Sequence, residues 1–453
     1  MTEPQRGGRL PLGLCLGYGL GSVGTGIYNT VPGLLLLIYM TDTLGVPAWL
    51  AGLGIFVPKL WDVITDPWMG SISDRTQTRF GRRRPWLLLG GLSLPLLFVA
   101  LFRTPDFGDP ILGFCWVLGF YILCATAYTV FSVPYIAMPA EMTDDYDEVT
   151  RLMAWRMALL TVGVLVSGAL APMLVEQLGG GGRAGYAMMS TIIAALLAAA
   201  MIGTFFGTRR APQRERQPEH PPFWSSLRAA LRVKPFAILG GGYFLQHTGV
   251  GAVLAVVPYF ASYVLEGGEG TVTIFFVCLV GPAFATMPLW VAVSRRTGKL
   301  AAYVAAMLLF GGAAASLWLA SPNALWLVYL QVALVGVGWA GTELFPFSML
   351  PDVIAADRQQ SGARREGTFT GLWTALDKSS LALGGLLASL ALAVTGFVES
   401  EAGEIVSQPD SALVGIRIGT AAIPALFVLA CLPIVLRYDL SREASRKIYS
   451  EAE

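Results

Sequence analysis

The sequence predicts an all-α integral membrane protein of twelve transmembrane helices in two six-helix bundles, and three observations carry that prediction. Hydrophobic residues make up 55% of the chain and charged residues only 13%, with a mean hydropathy of +0.61. A soluble globule carries about 25% charged residues, and its core could not hide this much apolar chain. Apolar runs of roughly 20 residues recur along the whole length, as helices crossing hydrocarbon require; a barrel would show alternating strands of about 10. The cations, thirdly, gather in every second connection between those runs.

Hydropathy places the spans at about 12–40, 48–73, 86–103, 111–138, 153–176 and 185–207 in the first half. The second half follows with 236–265, 271–293, 300–320, 323–349, 368–396 and 412–436. The N-terminal MTEPQRGGRLPLG is short and polar and has no signal-peptide cleavage pattern, so span 1 is expected to act as its own insertion signal. Span 1 carries Gly17, Gly19, Gly21, Gly24 and Gly26, small residues that admit a neighbouring helix or open room for a substrate.

Cations follow the even spans. Arg75, Arg79, Arg82, Arg83 and Arg84 follow span 2, and Arg209, Arg210, Arg214, Arg216, Arg228, Arg232 and Lys234 follow span 6. Arg295, Arg296 and Lys299 follow span 8, and Arg358, Arg364 and Arg365 follow span 10. The opposite connections hold Arg103 and Arg183 and otherwise Asp, Glu, Gly and Pro. By the positive-inside rule both termini are expected in the cytoplasm.

Residues 208–235 contain the Pro- and charge-rich APQRERQPEHPP, then FWSSLRAALRVK, which sets Phe223, Trp224, Leu227 and Leu231 opposite Arg228 and Arg232. This reads as a cytoplasmic linker with a short interfacial amphipathic helix. The expected domains are therefore a six-helix bundle over 1–207, the linker over 208–235, and a second bundle with a cytoplasmic tail over 236–453. The halves echo each other, MPAEMTDDYDEVTRLMAWR after span 4 resembling LPDVIAADRQQSGARREGTF after span 10, with a fainter pair in RFGRRRPW and SRRTGKLA. Such repeats suggest two bundles around a central pathway.

In hydrocarbon an ionisable side chain costs at least about 2.5–3.5 kcal/mol, so each one demands a partner or a function. Asp62 and Asp66 lie in span 2, four residues apart and therefore on one helical face. Two like charges one turn apart repel, and a cation or a proton has to neutralise them. Hard carboxylate oxygens suit a small alkali ion such as sodium, with a proton as the competitor. Lys378, near the start of span 11, is the intramembrane counter-charge from the other half. Switching it between the carboxylates and a substrate would link cation occupancy to substrate binding.

Lys59 in span 2 and Arg156 in span 5 are further candidates for coupling or substrate contact, against the alternative of ion pairs that lock helices together. Glu343 in span 10 reads as a protonatable group, a pathway-lining group or a structural acceptor near the helix-breaking Pro346 and Pro351. His247 in span 7 reads as an ordinary buried, hydrogen-bonded histidine, and Asp377 as pointing away from Lys378 and closer to solvent. Loop charges anchor the topology and are candidates for a cytoplasmic gate. They are Asp74, Arg75 and Arg83 after span 2, Asp145 and Arg151 after span 4, and Asp352 and Arg364 after span 10.

No catalytic signature is present. The sequence has no Walker A, HExxH or GxSxG motif, and its five cysteines (Cys15, Cys115, Cys124, Cys278, Cys431) form no CxxC or His-paired set. An enzyme is not expected, no cofactor is implied beyond a coupling ion, and a net charge of +1 gives no basic excess for nucleic acid. A membrane-embedded enzyme or binding protein would need a polar cluster at an interface or an appended soluble domain.

WDVITDP at 61–67 with the following GRRRPW resembles the glycoside–pentoside–hexuronide:cation symporters of the major facilitator superfamily. So do TVFSVPYIAMPAEMTDDYDEVTRLMAWR at 129–156 and SMLPDVIAADRQQSGARREGTFTGLWTALDK at 348–378. The resemblance implies the superfamily fold with two pseudo-symmetric bundles and sodium- or proton-coupled symport. It also implies that Asp62 and Asp66 bind the cation and that Lys378 couples it to substrate. Two positions depart from the melibiose-permease pattern: Gly26 stands where span 1 would carry a sugar-holding acid, and Ser132 where span 4 would carry another acid. The sodium-dependent lysophospholipid symporters, a branch of the same group, also lack the span-1 acid, and the arginine matching Arg156 there meets a headgroup. The expected cargo is therefore an amphiphile such as a lysophospholipid, with a glycoside as the alternative. The expected setting is a bacterial inner membrane, as a monomer.

Overall fold

The computed structural model describes residues 10–143, 146–178, 180–211, 232–267, 270–361, 366–400 and 406–439. Twelve helices among them are long and apolar enough to cross a membrane. They are α1 (Leu12–Thr43), α2 (Ala48–Arg75), α3 (Arg84–Leu101), α4 (Pro110–Ala137), α5 (Arg151–Glu176) and α6 (Gly182–Gly207). The second six are α7 (Lys234–Val264), α8 (Thr271–Thr297), α9 (Lys299–Leu319), α10 (Pro322–Asp357), α11 (Phe369–Val394) and α12 (Asp410–Val435). The described residues contain no β-sheet. In hydrocarbon every backbone N–H and C=O has to be satisfied within the chain, and a helix does this locally. Each expected span overlaps one of these helices. The expected interfacial helix at 223–231 lies outside the described residues.

Local chemistry sets the helix starts. Asp109 caps α4, its carboxylate accepting the Ile111 amide at 2.8 Å. Pro110 and Pro235 open α4 and α7 near their first position, where a missing N–H costs no hydrogen bond.

The chain divides into two compact units. One comprises Met1–Val46, Val57–His220 and Ser400–Ile405, and the other Pro47–Phe56, Pro221–Glu399 and Val406–Glu453. Within the first unit α1 packs on α5 and α6, and α3 packs on α4 and α6. Within the second, α7 packs on α11 and α12, and α9 packs on α10 and α12. The second set is the first advanced by six spans, so the sequence echo between the halves corresponds to a repeated packing scheme.

Glycines bring the packed helices together. A Cβ on Gly17 of α1 would lie 2.7 Å from Gly207 Cα of α6. A Cβ on Gly26 would lie 2.8 Å from the Leu160 carbonyl oxygen and 2.9 Å from the Val164 nitrogen of α5. Gly26, which the resemblance aligns with a sugar-holding acid, has no room for a side chain. It sits at a helix crossing where backbone meets backbone, and no acid could occupy that register without parting α1 from α5.

Gly26→Val is expected to destabilise the purified protein by roughly 1–3 kcal/mol through overpacking. A lowered thermal midpoint in detergent would show this; an unchanged midpoint would mean the crossing has slack.

Candidate functional site

The carboxylate pair lies in the first unit, where α2 faces α4. Asp62 is fully buried and Asp66 lies one turn further along the same face. The Thr129 hydroxyl of α4 lies between them, donating to Asp66 Oδ1 at 2.7 Å and standing 3.4 Å from Asp62 Oδ1. A single hydroxyl proton serves the nearer oxygen, which leaves the Thr129 lone pairs as a third hard-oxygen donor beside the two carboxylates. Trp61 Nε1 donates to Thr126 Oγ1 at 2.9 Å one turn earlier on α4, which fixes the register of the two helices. Ser132, one turn beyond Thr129, is buried on α4.

Lys59 occupies the same face of α2 three residues before Asp62. Its Nζ stands 5.4 Å from the centre of the Tyr28 ring and 5.9 Å from that of Tyr121, within range of cation–π attraction. A cationic side chain thus continues the acidic face, held in an aromatic pocket.

Arg156 of α5 lies with its guanidinium carbon 5.8 Å from the centre of the Tyr135 ring and its Nη1 3.9 Å from Met153 Sδ. Tyr135 is tied to α1, its hydroxyl donating to the Tyr18 carbonyl at 3.0 Å and lying 2.8 Å from Ser22 Oγ. Among the described residues Arg156 Nε is buried without a hydrogen-bond partner.

The loop charges form ordered clusters. Arg83 is buried; it pairs with Asp74, donates from Nε to Glu141 Oε1 at 2.8 Å and from Nη1 to Ser73 Oγ at 2.6 Å. Arg82 reaches the same Glu141 oxygen at 2.6 Å, so two cations face two anions. Arg75 is exposed at the end of α2. Arg151 donates to Glu148 Oε2 and to the Leu10 carbonyl, both at 3.1 Å, pinning the start of α1 to α5. In the second unit Lys299 donates to Asp352 Oδ2 and to the Ser348 carbonyl, both at 2.7 Å. Asp145 and Arg364 lie outside the described residues.

Glu343 and Lys378 belong to the second unit, Lys378 half-buried on α11. Glu343 Oε1 lies 3.0 Å from His247 Nδ1, which joins two residues that the sequence treats singly. Asp377, expected to point toward solvent, accepts the Tyr243 hydroxyl at 2.5 Å with its side chain 39% exposed.

Thr129 and Glu141 escaped the sequence reading although both sit inside quoted motifs. A threonine in an apolar span and a glutamate at a helix end have ordinary structural uses. The available signal for Glu141 was its place at the head of the acid-rich EMTDDYDE run, on the side of the membrane where the arginine-rich loop is expected.

A protein-family profile described as MFS/sugar transport protein matches residues 17–442, nearly the whole chain. The chain belongs to this family. Within it the chain is a glycoside–pentoside–hexuronide:cation symporter homologue, a cation-coupled transporter of the major facilitator superfamily rather than an enzyme. It is 27% identical to the putative glycoside/cation symporter YagG of Escherichia coli (strain K12), over 94% of this chain and 91% of that one. It is 28% identical to sodium-dependent lysophosphatidylcholine symporter 1 of Mus musculus, over 78% of this chain and 72% of that one. A crystal structure of the POT family transporter PepTSo matches with a TM-score of 0.65 at 12% identity, covering 98% of this chain and 99% of that one. That likeness shows the fold.

Thr129→Val should weaken cation-dependent thermal stabilisation of the symporter. The concentration for half-maximal stabilisation is expected to rise about tenfold, about 1.4 kcal/mol, the scale of a hydrogen bond to a charged group. A titration unchanged from the parent protein would remove Thr129 from the site.

Proposed function

We propose that the symporter couples the uptake of a small amphiphile of the lysophospholipid class to a sodium ion held by Asp62 and Asp66. The observation that carries the ion assignment is the meeting of two carboxylates and one threonine hydroxyl at the α2–α4 contact. In a medium of effective dielectric near 20, two unit charges about 5 Å apart repel by about 3 kcal/mol. Binding a monovalent cation converts that repulsion into attraction, and the oxygen-only donor set favours sodium over softer ions. Lys378 is the proposed coupling residue, responding to the charge of the pair and to the cargo.

The cargo assignment is supported by α1, which carries no Asp, Glu, Lys, Arg or His from Leu12 to Met40. It offers an acyl chain an apolar helix and offers sugar hydroxyls no carboxylate. Arg156, with a buried Nε lacking a hydrogen-bond partner among the described residues, is suited to a phosphate-bearing headgroup. The lysophosphatidylcholine symporter relative points the same way. A glycoside is the second reading, favoured by the greater coverage of the glycoside/cation symporter relative.

The cycle is proposed as alternating access. The Arg83–Asp74–Glu141 and Lys299–Asp352 clusters act as cytoplasmic gate contacts that part when the pathway opens on that side. Both termini are placed in the cytoplasm of a bacterial cell, with the chain in the inner membrane as a monomer of two six-helix bundles.

Asp62→Asn and Asp66→Asn are each expected to abolish sodium-driven uptake in proteoliposomes while the protein still inserts, and Lys378→Ala to abolish or uncouple it. Normal uptake by both aspartate variants would sink the ion assignment. A thermal-shift panel of lysolipids and glycosides, each with and without sodium, decides the cargo. Sodium-dependent stabilisation by a disaccharide and by no lysolipid would reverse the ranking.

A further inference from the structure

His247 is one of only two histidines in the chain, and it lies in α7 with its side chain 8% exposed. Its two ring nitrogens face two different carboxylates: Nδ1 lies 3.0 Å from Glu343 Oε1 of α10 and Nε2 lies 3.3 Å from Asp377 Oδ1 of α11. Each of those oxygens is already held by a neutral donor. Trp339 Nε1 donates to Glu343 Oε1 at 3.1 Å, and the Tyr243 hydroxyl donates to Asp377 Oδ1 at 2.5 Å. Tyr243 also stacks on the imidazole, with ring centres 4.9 Å apart, and on Trp373 at 4.6 Å. The ring is thus clamped between two carboxylates and an aromatic plane.

This geometry counts protons. A ring nitrogen with a bare lone pair repels an anionic oxygen 3 Å away, so each contact is favoured by a proton on the nitrogen or on the carboxyl; the Nδ1 contact is a close electrostatic approach without hydrogen-bond alignment. A neutral imidazole carries a single N–H. The second proton resides on the other ring nitrogen, making an imidazolium, or on one carboxyl group. Either arrangement holds one proton more than a neutral ring beside two ionised carboxylates. Exchanging the ring's two edges changes nothing, because a carboxylate stands at both.

We propose that Glu343, His247 and Asp377 form one proton-binding site that takes up and releases a proton as a unit and shares no residue with the Asp62/Asp66 pair. Its role as a second coupling device rests on the symport reading, whereas the bound proton does not. The three side chains do not converge as metal ligands would, since the carboxylates occupy opposite edges of the ring, and no metal-holding group of His, Cys, Asp and Glu occurs among the described residues. Asp377, with a side chain 39% exposed against 23% for Glu343, is the point of entry and exit for the proton. The other ionisable groups nearby are Tyr243 on α7, Tyr303 on α9 close to Glu343 and Tyr243, Cys431 on α12 beside Tyr303, and Lys378 following Asp377 on α11. The tyrosines and the cysteine are weak acids that stay protonated at neutral pH, so Lys378 is the only other group among them that carries charge there. Losing the proton takes the triad's net charge from −1 to −2, which makes ion occupancy here visible to Lys378.

The test needs no cargo. Replacing the other histidine (His220→Gln) leaves His247 as the sole imidazole in full-length protein labelled with 15N-histidine and embedded in lipid nanodiscs. At neutral pH the expected result is two protonated ring nitrogens, or a neutral ring with a protonated-carboxyl band in the infrared spectrum that Glu343→Gln or Asp377→Asn removes. On raising the pH one proton should leave at a single midpoint. Glu343→Gln and Asp377→Asn should each lower that midpoint by about one pH unit or more, because each removes an anion that favours the proton. Asp62→Asn should leave it in place. Placing the two substitutions on different helices keeps the test alive if one variant fails to fold. A neutral ring with no protonated carboxyl at neutral pH, or a midpoint unmoved by both substitutions, overturns the proposal. Neither result would touch the sodium assignment, which is read by uptake through the Asp62 and Asp66 variants.

Discussion

A carboxylate placed in hydrocarbon has to be neutralised. Asp62 and Asp66 present that requirement twice within one turn of α2. Membrane spans tolerate such groups only where something offsets the desolvation, and here the offset includes the Thr129 hydroxyl at 2.7 Å from Asp66. A static ion pair would satisfy one charge. Two adjacent acids beside a shared hydroxyl gather hard oxygens at one α2–α4 contact.

The second unit meets the same requirement with different groups. Its intramembrane acids, Glu343 and Asp377, are matched by an imidazole rather than by each other. Much of the packing scheme recurs six spans apart, with α1 on α5 and α6 matched by α7 on α11 and α12, while the ionisable groups the two units carry differ. One unit presents hard oxygens suited to an alkali ion, and the other presents a nitrogen base suited to a proton.

The close helix crossings explain why so many glycines are needed. Gly17 against Gly207 and Gly26 against Leu160 put backbones within touching distance, which draws α1 tightly onto α5 and α6. Tyr18, Ser22 and Tyr135 then tie α1 to α4 by hydrogen bonds in the same region. A rigid α1–α4–α5 junction gives Arg156 a fixed aromatic neighbour and so a defined position. At Gly26 the same close packing leaves no room for a side chain.

Hydropathy by itself determined the twelve spans, because the thickness of hydrocarbon fixes helix length and composition with little help from tertiary contacts. Helical periodicity put Asp62 and Asp66 on one face, a local property of the chain. The partners of those residues were not legible. Thr129 follows Asp66 by 63 positions, Glu141 follows Arg83 by 58, and Asp377 follows His247 by 130. Which side chains meet across such separations depends on helix rotation and crossing angle, set by glycine contacts and side-chain packing throughout each unit. Only the tertiary structure turned an isolated histidine, glutamate and aspartate into one cluster, because the proton they share exists only where three helices bring the groups within 3.3 Å of the ring.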